Sequence, residues 1–179
     1  MNLTTEYLNS AKTRLLYYKE LGDKTFAQLS ETDFHFQSNE ECNSIALIIQ
    51  HISGNMLSRW TDFLTSDGEK EWRNRDAEFE NRQLSKLQLT GIWEEGWNCF
   101  MQTLDSLTPE DLLKTIYIRR EPLPVIDAIN RQLAHYPYHV GQIIHIAKMI
   151  KNADWQNLSI KRNQSVQFNK EMSVNASTK

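Results

Sequence analysis

Residues 125–150 of the 179-residue chain read VIDAINRQLAHYPYHVGQIIHIAKMI, and this stretch decides the fold. Its apolar residues recur at the spacing of an amphipathic helix. His135 and His139 are four positions apart, so a helix places both side chains on the same face. Pro137 lies between them and cannot donate a hydrogen bond to the carbonyl of Leu133. We therefore predict a long helix here, with either a bend or a junction of two helices at Pro137.

A second apolar stretch, residues 44–64, reads SIALIIQHISGNMLSRWTDFL and also has a helical period. If this helix packs against the first, His51 can meet His135 and His139. Three neutral imidazoles around one divalent metal, with a coordination position left open, are typical of a catalytic metal site. A histidine pair at this spacing also occurs by chance, on a surface or hydrogen-bonded in a core, and the spacing alone leaves that alternative open.

The rest of the chain has few glycines and prolines, and two further stretches have the helical period. We predict helices at about Thr4–Leu29 and Ser85–Leu107. The helix that contains His51 is expected to end at the turn Asp67-Gly68. Four long amphipathic helices predict an all-α protein with a four-helix bundle.

The connections between these helices differ in length. Residues 30–43 are a polar loop, and residues 68–83 (GEKEWRNRDAEFENRQ) are a long charged and aromatic loop of the kind that is often functional or partly disordered. Thr108-Pro109 should open one short helical turn. The segments 115–118 and 123–125 then predict a small β-hairpin or an extended excursion. We expect a single domain over residues 1–169 and a disordered tail over residues 170–179.

Composition excludes several classes of function. The net charge is −3 and no basic block is present, so neither nucleic acid nor a membrane surface is an expected partner. The first residues lack a signal-peptide pattern, and no apolar run is long enough to span a bilayer. We therefore expect a cytoplasmic protein in which Cys42 and Cys99 are reduced thiols. No nucleotide-binding loop, no nucleophile elbow and no H-E-x-x-H motif is present.

Two segments resemble the histidine-bearing helices of the DinB-like superfamily: SIALIIQHISGNMLSRWTDFL and RQLAHYPYHVGQIIHIAK. The longer segment GNMLSRWTDFLTSDGEKEWRNRDAEFE resembles a small bacterial subfamily of unknown function. The resemblance covers about residues 3–169. It implies a four-helix bundle in which His51, His135 and His139 hold a divalent metal, and it implies a frequent homodimer. Some members of the superfamily transfer a low-molecular-weight thiol, such as bacillithiol or mycothiol, to an electrophile.

The first functional hypothesis is therefore a metal-dependent thiol transferase. Zinc and nickel are the expected metals because both suit imidazole ligands. From their helix faces, Asn55, Arg59 and Gln142 are predicted to orient the substrate. From their charge, Arg73 or Arg75 is predicted to bind an acidic group on it.

Two rival hypotheses use the same histidines. A hydrolase would need a general base beside the metal, and Asp62, the only acid on the predicted face of His51, lies three turns away. A non-enzymatic protein that stores or senses metal, or a dimeric stress protein, would use residues 67–80 as a partner surface.

Overall fold

The computed structural model describes residues 2–176, the last four of them by backbone alone, and it is mostly helical. One two-stranded antiparallel sheet accompanies the helices. The elements are α1 (Leu3–Phe26), α2 (Glu31–Phe34), α3 (Ile45–Trp60), α4 (Lys86–Ser106), β1 (Thr115–Ile118), β2 (Glu121–Pro124), α5 (Val125–Lys151) and α6 (Ser165–Ala176). Among the described residues, no helix combines the length and the apolar character that a membrane span requires.

The long helices begin where capping residues satisfy their first amide groups. The Asn2 side chain accepts from the amide of Thr4 at the start of α1, and the Ser44 hydroxyl accepts from the amide of Leu47 at the start of α3. Ser85 and Gln88 form a reciprocal capping box at the start of α4. Polar residues at these three positions therefore fix where each helix starts.

Four long helices enclose one apolar core. Helix α3 packs against α4 and α5, and α1 packs against the same two helices. The largest fully buried side chains are aromatic, and they include Trp60, Trp93, Trp97 and Tyr136. At the crossing of α3 and α4, a Cβ on Gly96 would lie 2.9 Å from the Cα of Ser53, so only glycine allows the two helices to approach this closely.

Helix α5 runs through Pro137 as one helix, so the alternative of two helices meeting there is wrong. Helix α3 ends at Trp60, earlier than the turn Asp67-Gly68. The backbone of Asp62 has a φ of 50°, which is a left-handed conformation that a helix cannot continue through. Asp62 therefore does not extend the helical face that carries His51.

The predicted β-hairpin is present. Strands β1 and β2 pair antiparallel from Thr115 opposite Pro124 to Ile118 opposite Glu121. Arg119 and Arg120 connect them with φ angles of 55° and 65°, as in a type I′ turn. The Asp67 carboxylate accepts from both of their amides, at 2.9 and 2.8 Å, and so ties the hairpin to the loop that follows α3.

Two short helices were not expected from the sequence. Helix α2 lies within the predicted polar loop, where Ser30 and Asp33 form a capping box. Helix α6 covers much of the tail that was expected to be disordered from residue 170, and the chain there is helical to Ala176. Residues 177–179 lie outside the described residues.

Candidate metal centre

Three histidines from two helices lie together between α3 and α5. His51 projects from α3, and His135 and His139 project from successive turns of α5. The nitrogen atoms that could bind an ion all lie within 4.8 Å of one another. His51 is buried, whereas His135 and His139 are partly exposed, so the cluster is open to a small molecule on the α5 side.

Each imidazole has an oxygen atom beside its Nδ1. The Oε2 of Glu78 lies 2.9 Å from His51, and the Oε1 of Gln142 lies 2.8 Å from His139. The Oε1 of Gln132 faces His135 at a longer 3.4 Å. An oxygen at Nδ1 favours the tautomer that has its proton there, which leaves the lone pair on Nε2. The Nε2 atoms of the cluster are thus the donors for an ion.

The spacing of these donors fits a divalent metal. The Nε2 atoms of His135 and His139 lie 3.1 Å apart. Two imidazoles that bind one tetrahedral zinc at about 2.0–2.1 Å have their nitrogens about 3.3 Å apart. Without a proton or a cation between them, two lone pairs at this distance repel each other. The donor set, the spacing and the tautomers therefore all fit a bound divalent metal.

The electrostatic environment keeps the two α5 imidazoles neutral. Burial, followed by the nearby charges of His139 and His51, lowers the pKa of His135 to about 4. Burial also lowers the pKa of His139, although its hydrogen bond with Gln142 acts in the opposite direction. Neutral imidazole is the form that binds a metal, so both residues are ready to bind one at neutral pH.

Glu78 lies beside the histidine cluster, and the sequence reasoning did not point to it. It lies in a short 3₁₀ turn, Asp76–Phe79, and the residue is 7% exposed. Arg73 donates to it twice, from Nε at 2.7 Å and from Nη2 at 3.0 Å. Burial would raise the pKa of this carboxyl, but the hydrogen bonds from His51 and Arg73 outweigh burial and hold the pKa below its usual value. Glu78 is therefore an ionised acceptor that orients His51.

The loop that contains Glu78 packs directly on α3. A Cβ on Gly54 would overlap the Glu78 carboxylate, so the glycine makes room for it one turn from His51. The Phe79 ring lies over the His51 ring with centroids 5.0 Å apart. Gln50 donates to the backbone carbonyls of Glu78 and Glu80. The only sequence signal for this arrangement was the unusual length of the loop.

Three of the five residues predicted to bind substrate are engaged with the protein itself. Asn55 is buried and accepts from the Tyr136 hydroxyl at 3.1 Å. Arg59 is buried and donates to the carbonyl of Gly68 at 2.6 Å, with an ion pair to Glu69. The Arg73 side chain, 2% exposed, is held by Glu78. These contacts position the loop and the helices.

The other two residues are accessible from solvent. Gln142 is partly exposed, and besides its contact with His139 it donates to the Tyr138 hydroxyl at 3.0 Å. Arg75 is exposed, with its guanidinium 5.3 Å from the centre of the Phe79 ring. Of the two arginines predicted to bind an acidic group, only Arg75 is therefore free of an ion pair among the described residues.

Comparison with known proteins identifies one family. A family model described as "Protein of unknown function (DUF1572)" matches residues 2–164. No curated protein matches the chain. The matched segment includes all three histidines and Glu78, together with the four long helices. Because the match extends over most of its length, the chain belongs to the DUF1572 family.

Proposed function

We propose that the protein binds one divalent metal, zinc or nickel, through the Nε2 atoms of His51, His135 and His139. We further propose that it uses the metal to transfer a low-molecular-weight thiol to an electrophile. The observation that carries the proposal is the convergence of three imidazoles, each with an oxygen at Nδ1. A bound divalent cation favours the thiolate, which is the reactive form of a thiol.

The side chains around the histidines hold the imidazole rings in place and leave one side of the cluster accessible to a thiol. Glu78 and Arg73 hold His51, and Gln142 and Tyr138 hold His139, so the ligands need little rearrangement when a metal binds. The partial exposure of His135 and His139 leaves a side from which a thiol can approach. Arg75 is exposed and lies beside the Phe79 ring that covers His51, and we propose that it attracts an acidic group on that thiol.

A hydrolase is the less favoured alternative. Hydrolysis needs a general base that can accept a proton from water near the metal. The Glu78 carboxylate is close, but it accepts hydrogen bonds from His51 and Arg73, and its lowered pKa makes it a weak base. Asp62 lies beyond the end of α3. A thiol transferase does not need such a base, because the metal already favours the reactive thiolate.

The helix arrangement supports the DinB-like assignment of the fold. Helices α1, α3, α4 and α5 share one core, and they can be described as a four-helix bundle. One histidine comes from the second long helix and two from the fourth, which is the distribution that the resemblance implies. The homodimer expected from the same resemblance remains a prediction.

The test starts with metal-free protein prepared without an affinity tag. Zinc and nickel are titrated by calorimetry into the unmodified protein, His139→Ala and His145→Ala, where His145 is an exposed histidine of the same helix and serves as the control. The loaded proteins are then given low-molecular-weight thiols and an electrophile, and thiol consumption is followed. We expect one metal per chain in the unmodified protein and in His145→Ala, and thiol consumption by the unmodified protein but not by His139→Ala.

Three results would contradict the proposal at different levels. Failure of the unmodified protein to bind metal would remove the metal centre itself. Metal binding without thiol consumption, but with turnover of amide or ester substrates, would favour the hydrolase. Metal binding with neither activity would favour a protein that stores or senses metal.

A further inference from the structure

We infer that the groove beside His139, between α5 and residues 36–43, binds the apolar part of a small neutral ligand, namely the electrophile of the proposed transfer. The inference rests on the proposed function for the identity of the ligand as a co-substrate. The existence of the groove and its preference for an apolar ligand stand on the structure alone.

The groove has the size of a small-molecule site. Its volume is about 660 Å³, within the range of about 300–1,000 Å³ that is usual for ligand pockets. Tyr138, Gly141 and Gln142 of α5 form one wall, and Phe36 and Cys42 lie in the opposite wall. A segment of the polar loop thus faces the helix that carries two of the three histidines.

The lining is mostly apolar although it is open to solvent. Phe36 is 42% exposed, Tyr138 is 61% exposed and Met149 is 52% exposed, and the buried Ile48 contributes from α3. Apolar surface gathered in a concave site is a feature of ligand-binding grooves. Glu41 and His145 are the titratable side chains among the acids, bases and histidines that line the groove, and no lysine or arginine lines it within the described part of the chain, which favours a neutral ligand over an anion.

The groove is connected to the metal centre by two side chains of its wall. The Tyr138 ring lies 4.9 Å from the His139 ring, measured between centroids. Gln142 donates a hydrogen bond to the Tyr138 hydroxyl, and its side-chain oxygen accepts one from His139 Nδ1. A ligand in the groove therefore touches the residues that hold a histidine of the centre, and its reactive carbon can extend past Tyr138 towards the thiol.

The chemistry that this placement serves is a simple substitution. For an organic halide, the electron pair of the thiolate sulfur forms the new carbon–sulfur bond. The carbon–halogen bond breaks at the same time, and the halide leaves with its electron pair. The groove supplies the orientation of the carbon, and no oxidant or reductant is required.

Gly141 provides a sharp test because it lies exposed in the wall of the groove. A Cβ on Gly141 would meet no atom within 4 Å, so Gly141→Leu can fill the groove without displacing the protein. Gly91 of α4 is also exposed and open at its Cβ position, but it does not line the groove. Gly91→Leu is therefore a matched control with the same chemical change on another helix.

The experiment uses metal-free protein and N-phenyl-naphthylamine, a neutral aromatic fluorophore that brightens in apolar surroundings. We expect saturable binding of one fluorophore per chain, weakened about tenfold or more by Gly141→Leu because the leucine occupies the ligand's space. Gly91→Leu should bind as the unmodified protein does. Bound fluorophore should also slow the alkylation of Cys42 by iodoacetamide but not that of Cys99, followed by mass spectrometry.

Equal binding by the unmodified protein and Gly141→Leu, or no saturable binding, would overturn the inference. Absence of binding together with a dimer that Gly141→Leu dissociates would also overturn it, because the face would then be an interface between copies. A third outcome is possible: the protein binds no metal, but it binds the fluorophore and Gly141→Leu abolishes that binding. This outcome would support the groove and contradict the proposed function. The two failures are thus distinguishable.

Discussion

The Oε2 of Glu78 lies 2.9 Å from the Nδ1 of His51, so a loop residue orients a histidine that comes from a helix 27 positions earlier in the chain. The same carboxylate receives two hydrogen bonds from Arg73. Metal-binding histidines usually donate their second ring N–H to such a partner, which fixes the ring and makes it a stronger ligand. The loop over residues 68–83 is therefore part of the candidate centre.

Replacing Glu78 by alanine should weaken metal binding about 10- to 100-fold, the usual effect of losing a partner of this kind. The His51 ring loses its acceptor, and the buried Arg73 side chain keeps only its longer ion pair with Glu69, at 3.8 Å. Isothermal titration with zinc measures the affinity, and Glu71→Ala, a change at an exposed acid of the same loop, is the control. Equal affinities for the two variants would show that Glu78 does not position His51.

Gly54 is expected to tolerate no side chain. In Gly54→Ala the new Cβ would overlap the Glu78 carboxylate, and we expect a loss of about 1–3 kcal/mol in the free energy of unfolding, as for other overpacked sites. Gly91→Ala, where the Cβ meets nothing, should instead gain about 0.5–1 kcal/mol from improved helix propensity. Urea unfolding of both variants measures the difference, and a stabilised Gly54→Ala would contradict the packing described here.

The metal-free protein should lose stability as the pH falls below about 6.5. The pKa of His135 is lowered to about 4 in the folded chain, so between these values the unfolded chain binds a proton and the folded chain does not. The contribution of His135 to the free energy of unfolding is fully present above a pH of about 6.5. It is lost as the pH falls towards about 4. Denaturant unfolding at several pH values down to about 5 follows this window before the carboxylates titrate.

A variant identifies the group responsible for this pH dependence. His135→Gln should flatten the decline in stability, because the variant lacks the imidazole whose pKa is lowered in the folded chain. An identical pH dependence for His135→Gln and the unmodified protein would mean that His135 is not the titrating group.

The turn of the β-hairpin offers a stabilising substitution. Arg120 has a φ of 65°, a conformation that costs an L-residue other than glycine about 1–2 kcal/mol. Arg120→Gly should relieve this strain in the folded chain. Glycine also adds entropy to the unfolded chain, which offsets part of the gain. We expect the net effect to be a higher melting temperature. Asp67→Ala should lower it, because the amides of Arg119 and Arg120 lose their acceptor. Calorimetric scans of both variants check the two directions.

The helices and the histidine cluster could be predicted from periodic patterns. Apolar spacing located the four long helices to within a few residues, except that α3 ends at Trp60, where Thr61 turns extended and Asp62 is left-handed. The spacing of His135 and His139 indicated a shared face, and these residues do lie beside His51. Helix positions and shared helix faces depend on the spacing of residues along the chain, and this spacing can be read from one sequence.

The surroundings of the cluster could not be predicted because they depend on contacts between distant segments. Glu78 lies in a loop without a period, and its approach to His51 depends on Arg73 and on the absence of a side chain at Gly54. Charge alone suggested Arg73 as a substrate ligand, but charge does not reveal that a buried carboxylate already holds it. The described side chains of helix α6, residues 165–172, are all exposed, and the sequence there has no strong apolar period to signal a helix.

X-ray absorption spectroscopy of the zinc-loaded protein, prepared without an affinity tag, tests the metal centre most directly. We predict about three imidazole nitrogens at about 2.0–2.1 Å from the metal, with the remaining coordination filled by oxygen atoms of water. His51→Ala should lose one imidazole from the spectrum, and His145→Ala should lose none. A zinc ion bound by fewer than three imidazoles in the unmodified protein, or one whose ligands do not change in His51→Ala, would contradict the proposed centre.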